Sequence, residues 1–418
     1  MREHKEHRRK RRWNQRYFLQ VVCLLVAAVV FGGRQQTMNE QLYQKQSIQM
    51  EEESFQGNLP VSQEAERLQQ TDTINTYSNG FNQKQELIDS NIRGAYFTAN
   101  SVSNRTKVEK IIQSLEGTEI NAVVIDVKDD CGKITFDSKH MLATEIDAVS
   151  PIIWNLREMV DQFHAAGIYV IGRVVAFRDP ILAILRPSYA ILDLAGNVFY
   201  DRAKDAWLNP YHRACWDYLV EIAMEAADSG VDEIQFDYVR FSTEAKEGKV
   251  SFGVNVEKYT KTQVITEFIQ YVVKQLHQKD VKVSADVFGA IINSEIDAKT
   301  VGQDYVELSR YLDYICPMVY PSHYADGCYG IEVPDLQPYD LIVAALNDSN
   351  HNLKFIDEEY HCAIVRPWLQ DFTASWKAEY QRYGVQEVTE QIQGVYDSGY
   401  QEWLLWNSSG RYSLTVKE

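Results

Sequence analysis

Asp232-Glu-Ile-Gln-Phe-Asp-Tyr-Val-Arg-Phe241 (DEIQFDYVRF) decides the fold. It is strand-length and apolar at every second place, and it follows Ser229-Gly230, the carboxyl cap of a helical stretch that opens at Pro210. Side chains alternate along a strand, so Gln235 and Asp237 share one face while Ile234, Phe236 and Tyr238 take the other. A strand with one apolar and one polar face, entered directly from a helix, is half of a βα unit.

Seven further stretches have the same texture. They are Ile92–Asn100, Asn121–Asp130, Ile168–Phe177, Lys282–Gly289, Tyr314–Pro321, His361–Trp368 and Glu402–Ser409. Helical patterns lie between them. Asn104 caps one that carries Val108, Ile111, Ile112 and Leu115. Ser150-Pro151 opens another, with Leu156, Met159, Val160 and Phe163 on one face and Ala166-Gly167 as its cap. Eight strands alternating with helices predict an α/β fold, a closed (β/α)8 barrel of the TIM type, over residues 92–418.

Parity selects candidate site residues. Asp126 and Lys128 oppose Val123, Ile125 and Val127; Arg173 opposes Val170, Val174 and Ala176; Ser284 and Asp286 oppose Val283, Ala285 and Val287. If the apolar face meets the helices, Asp126, Lys128, Arg173, Asp237 and Asp286 point into the barrel near the carboxyl ends of four strands, where barrel active sites are built. Asp237 and Asp286 fall at equivalent depth on adjacent strands spaced about 4.8 Å apart. Two carboxyl groups that close raise one pKa and leave an acid beside an ionised partner, the pairing that glycoside cleavage requires. Asp237 is assigned as nucleophile and Asp286 as acid/base, with Asp126 or Asp130 as replacements for Asp286. Arg240 has outward parity and is assigned to the following loop, and Asp129 and Asp130 to a solvated loop. Sugar rings stack on aromatic faces while their hydroxyls need polar partners. Tyr320, His323, Arg366, Trp368 and Trp406 therefore join Asp126, Lys128 and Arg173 as substrate-binding candidates.

The rest of the 418 residues sets the context. Forty-two basic against fifty-nine acidic side chains give a net charge of −17, which argues against a nucleic-acid partner. Residues 1–16 hold eight Lys/Arg and two Glu, and the uncharged residues 17–33 follow. That order predicts a single-pass signal anchor with a cytoplasmic amino terminus and an extracytoplasmic barrel at the cell membrane. A cleaved signal is the competing reading, disfavoured by the Phe31-Gly-Gly-Arg34 ending. Residues 34–91 are polar and poor in aromatics, the composition of a stalk. Six cysteines show no paired or metal spacing, and CxxC, HExxH and HxxxH are all missing, so neither metal nor cofactor is expected.

The strings RGAYFTAN, VVIDVKDDCGKITF, EIQFDYVRF, SADVFG, CPMVYPSHY and VRPWLQDF resemble a Firmicutes family of glycoside hydrolases assigned by distant similarity. The family is usually membrane-tethered and was first catalogued as a domain of unknown function. The resemblance runs from about Ile92 to Gly410 and implies a barrel acting on carbohydrate. An aspartate ending the fourth strand, here Asp237, is similar to the α-amylase clan's nucleophile; that clan has Glu on the fifth strand, where this chain has Asp286. Met318, Tyr320 and Trp406 are similar to chitinase positions, but Val239 stands where the chitinase clan's catalytic Glu would fall. The expected function is a glycoside hydrolase acting on cell-wall or exported polysaccharide. The alternatives are a non-catalytic carbohydrate-binding or scaffolding barrel, and a metal-assisted hydrolase using Asp126, Asp129 and Asp130.

Overall fold

The computed structural model describes residues 91–253, 258–357 and 359–414. The expected tail, anchor and stalk lie outside the described residues, apart from Asn91. Among the described residues no helix is long and apolar enough to cross a membrane.

Eight parallel strands close into a barrel. They are β1 Arg93–Phe97, β2 Ala122–Lys128, β3 Tyr169–Val175, β4 Glu233–Asp237, β5 Lys282–Phe288, β6 Tyr314–Met318, β7 in two pieces (Ile364–Val365 and Trp368–Gln370) and β8 Trp403–Trp406. Neighbours in sequence pair in turn, and Arg93 in β1 registers with Trp403 in β8 to complete the ring. β7 is interrupted at Arg366-Pro367, since Pro367 has no N–H to give the ladder. Its carbonyl still accepts Leu404 N at 2.9 Å.

Outer helices cover the apolar face: α1 Arg105–Leu115, α2 Leu156–Ala165, α3 Arg213–Asp228, α4 Lys261–Leu276, α5 Tyr305–Ser309, α6 Pro338–Leu353 and α7 Val385–Asp397. Asn104 caps α1 by accepting Lys107 N at 3.0 Å. α2 begins at Leu156, later than the Ser150-Pro151 signal, because Asn155 provides its cap by accepting Glu158 N at 3.1 Å. Gly167 and Gly230, at φ 72° and 96°, turn the chain out of α2 and α3 into the next strands. A small antiparallel pair, Leu192–Asp193 with Val250–Ser251, links the loops above β3 and β4.

The barrel interior is layered. Tyr169, Glu233, Tyr314 and Arg366 lie at the amino-terminal end, Val124, Ile171, Gln235, Cys316 and Leu404 in the middle, and Tyr96, Asp126, Arg173, Asp237, Asp286 and Trp406 toward the carboxyl-terminal mouth. The lower layer is sealed: Glu233 accepts Arg366 Nη1 at 3.0 Å and Ser284 Oγ at 2.5 Å, and Arg366 Nε reaches Glu402 at 2.7 Å. This packed floor leaves only the upper end open for chemistry.

Candidate active site

At the mouth is a cavity of about 370 Å³, within the size range of small-molecule sites. Asp237 and Asp286 both line it, from the ends of adjacent strands β4 and β5. Their surroundings differ. Asp237 Oδ2 accepts Arg173 Nε at 3.0 Å and Nη2 at 2.5 Å, while its Oδ1 accepts the backbone N–H of Tyr238 at 2.6 Å. Asp286 meets no cation at bonding distance among the described residues; its Oδ1 accepts the Trp368 indole N–H at 2.6 Å. Burial first, then the negative charge of Asp237, pushes the Asp286 carboxyl well above the usual carboxylate range. One acid is matched to a cation and the other is driven toward its protonated form.

Arg173 organises the mouth. It is 1% exposed, lies beside the stacked rings of Tyr96 and Trp406 with its guanidinium carbon 5.7 and 5.6 Å from their centroids, and also binds Asp126 at 2.5 Å and Asp130 at 2.9 Å. Asp126 Oδ2 accepts Tyr96 O–H at 2.5 Å. The line Tyr96–Asp126–Arg173–Asp237 thus fixes the orientation of the Asp237 carboxylate from behind, each charge-assisted bond restricting the next. Trp406 stacks on Tyr96 with centroids 4.1 Å apart and meets Trp368 edge-on at 5.8 Å.

Of the ten residues expected from sequence, Asp237, Asp286, Arg173, Tyr320, His323, Trp368 and Trp406 surround the cavity, and three do not. Asp126 sits behind Arg173 as its anchor. Lys128 turns away, because a bulge at Val127 puts Lys128 opposite Val174 instead of continuing the pairing of Asp126 with Arg173. Its Nζ bonds the Val175 carbonyl at 2.8 Å and pairs with Asp179 at 2.9 Å, both side chains fully buried. Arg366 has the expected inward parity but lies in the sealed lower layer with Glu233 and Glu402. Alternation gives the side of a strand, not the depth.

Tyr238, Arg240 and Asp130 depart from the sequence reading in the opposite direction, since all three line the cavity. β4 ends at Asp237, and Tyr238 adopts φ 50°, a left-handed conformation that costs a non-glycine residue about 1–2 kcal/mol. The turn ends the alternation there, so outward parity no longer applies to Tyr238 or Arg240. The Asp237 bond to Tyr238 N and the Arg178 bond to Tyr238 Oη (2.8 Å) hold the strained residue in place. Asp130 reaches the cavity through its bond to Arg173, whereas Asp129 folds back to accept Cys131 N and Lys133 N, both at 2.9 Å. Asp126 and Asp130 are thus both taken up by Arg173 and Asp129 by backbone N–H groups, and the three do not converge as metal ligands; among the described residues no group of three acidic, His or Cys side chains is placed to hold a metal. Phe288, also lining the cavity, shares the parity of Asp286 and was reachable by carrying the alternation two residues further. Gly289 follows it, where a Cβ would come within 2.6 Å of the Met318 carbonyl oxygen.

A closed parallel barrel with an acid pair and aromatic walls at its carboxyl-terminal mouth is the architecture of a barrel glycosidase. The chain belongs to the family described as "Putative glycosyl hydrolase domain", whose model matches residues 94–412. Among solved structures, the PgaB (BpsB) glycoside hydrolase domain from Bordetella bronchiseptica shares the fold, with a TM-score of 0.55 and 10% identity over 77% of this chain and 95% of that one. A hypothetical protein from Ruminiclostridium thermocellum is 37% identical over 46% of this chain and 97% of its own, with a TM-score of 0.42. The spore cortex-lytic enzyme SleL of Bacillus megaterium aligns at a TM-score of 0.45 and 10% identity, over 78% of this chain and 72% of that one. No curated protein matches.

Proposed function

We propose that this protein cleaves glycosidic bonds in cell-wall or exported polysaccharide, held at the outer face of the membrane by residues 17–33. The observation that carries this reading is the opposed environment of two carboxyl groups at one open cavity. Asp286, protonated by virtue of burial and its neighbour's charge, donates its proton to the leaving glycosidic oxygen. Asp237, fixed by Arg173 and the Tyr238 N–H, attacks the anomeric carbon as the C–O bond breaks, giving a glycosyl ester. Asp286, now ionised, takes a proton from water, whose oxygen displaces Asp237 and frees the sugar. Trp406 and Tyr320 supply ring faces for stacking, and His323 a polar edge at the rim.

The test is release of reducing ends from a panel of cell-wall and exopolysaccharide glycans by wild type and Asp237→Asn. Cleavage by the wild type and its loss in a folded Asp237→Asn is expected. Equal turnover by the two removes the assignment of Asp237. Tight binding by both with no bond broken in any glycan removes the enzymatic reading in favour of a carbohydrate-binding barrel.

A further inference from the structure

Three cationic side chains buried in the barrel walls are matched to acids. Arg173 meets Asp126, Asp130 and Asp237; Arg366 meets Glu233 and Glu402; Lys128 meets Asp179. Arg240 is the exception. It is only 9% exposed and lines the cavity, yet no carboxylate among the described residues lies within ion-pair distance of it. Its one hydrogen bond to protein among the described residues runs from Nη1 to the Phe241 carbonyl, 2.9 Å. The rest of its surroundings is aromatic, with the guanidinium carbon 4.4 Å from the Phe288 ring centroid, 4.9 Å from Trp207 and 5.1 Å from Tyr238.

Ring faces support a guanidinium through their quadrupoles but accept none of its in-plane N–H bonds well. Burial pushes the Arg240 pKa down to about 10, so the group still enters the cavity charged near neutral pH. An unmatched, desolvated fork beside a ligand cavity is a device for an anion that arrives with the ligand.

We propose that the cavity takes an acidic glycan, and that Arg240 reads a carboxylate on the bound sugar. This rests on the reading of the cavity as a glycoside site. The charge balance favours a carboxylate over a phosphate ester. Asp237 and Asp130 already line the same space, and a carboxylate monoanion meets less repulsion from them than a phosphate dianion does. A planar two-oxygen group also fits the Nε and Nη2 donors, which carry no hydrogen bond to protein among the described residues. Arg240 is thus a specificity residue, distinct from Arg173, whose donors are taken up by the protein's own acids.

The experiment measures binding of matched sugars to the whole protein: glucuronate against glucose, galacturonate against galactose, and N-acetylmuramate against N-acetylglucosamine, with glucose 6-phosphate as the phosphate arm. A charge-assisted bidentate contact predicts that at least one acid binds about 10- to 100-fold tighter than its neutral partner. The gap narrows with added salt, collapses to within about twofold in Arg240→Gln, and survives in part in Arg240→Lys, with thermal melting verifying that both variants fold. Three results overturn the proposal: no acid preferred over its partner, a preference that persists undiminished in Arg240→Gln, or an Arg240-dependent preference for glucose 6-phosphate above every carboxylate. Failure of hydrolysis is a separate outcome, since the binding preference is read without any bond being cleaved. Conversely, Asp237-dependent cleavage of neutral glycans with no charge preference sinks this inference and leaves the glycosidase standing.

Discussion

Replacing Arg173 by Met keeps an apolar stem beside Tyr96 and Trp406 but removes the one cation shared by Asp126, Asp130 and Asp237. The side chains of Asp126 and Asp237 are 7% and 10% exposed, so both lose a partner in a place water barely reaches. That of Asp130 is 41% exposed, and solvent screens its share to a minor contribution. Breaking a buried pair by deleting one partner costs about 3–5 kcal/mol. At about 2 °C per kcal/mol for a domain of this size, the melting temperature at pH 7.5 should fall by about 6–10 °C. The loss depends on pH in a definite direction. Burial already holds the Asp126 carboxyl above its ordinary value despite Arg173, and removing that cation raises it further. An acid whose folded-state pKa lies above its unfolded value of about 3.9 takes up a proton on folding. The deficit is therefore fully present above the raised pKa and shrinks as pH falls through it toward the unfolded value. Differential scanning calorimetry of wild type and Arg173→Met at pH 7.5, 6 and 5 should show the gap closing with acidification. A gap that stays constant, or one under 2 °C at pH 7.5, would refute the view that Arg173 neutralises buried acids.

The remaining tests address single groups. Asp286→Asn should lower kcat/KM about 10²- to 10⁴-fold on any glycan the wild type cleaves, with no loss of thermal stability, because the amide mimics the protonated acid; retained turnover would reassign the acid. In the wild type, kcat/KM should fall on the alkaline side as pH rises through the elevated Asp286 pKa, and a rate limited only in the ordinary carboxylate range would contradict that elevation. Lys128→Met strands Asp179 in the interior and should cost about 3 kcal/mol by urea denaturation while sugar affinities stay within twofold, since Lys128 does not line the cavity. Arg240→Met should melt no lower than wild type, and as much as about 2 °C higher, because an unmatched buried charge is retained at a cost to stability; a drop above 5 °C would make it a structural anchor.

The division between what the chain declares and what the fold adds follows the range of the interactions. Eight apolar-polar strands, their helix caps and the inward parity of Asp126, Arg173, Asp237 and Asp286 were legible because the two-residue alternation and the capping bonds are made within a few residues. Where alternation breaks, the sequence carried no mark. The bulge at Val127 sends Lys128 to Asp179, and the left-handed turn at Tyr238 brings Tyr238 and Arg240 over the cavity. Depth was equally silent: Arg366 shares its face with Trp368, but only the register between β6 and β7 buries one in the floor and sets the other beside Asp286. Partner choice among charges comes last, because Arg173 and Asp237 lie 64 residues apart and meet only when the ring closes around them. Local chemistry thus fixed which groups face inward, and tertiary packing decided which of them neutralise one another and which remain for a ligand.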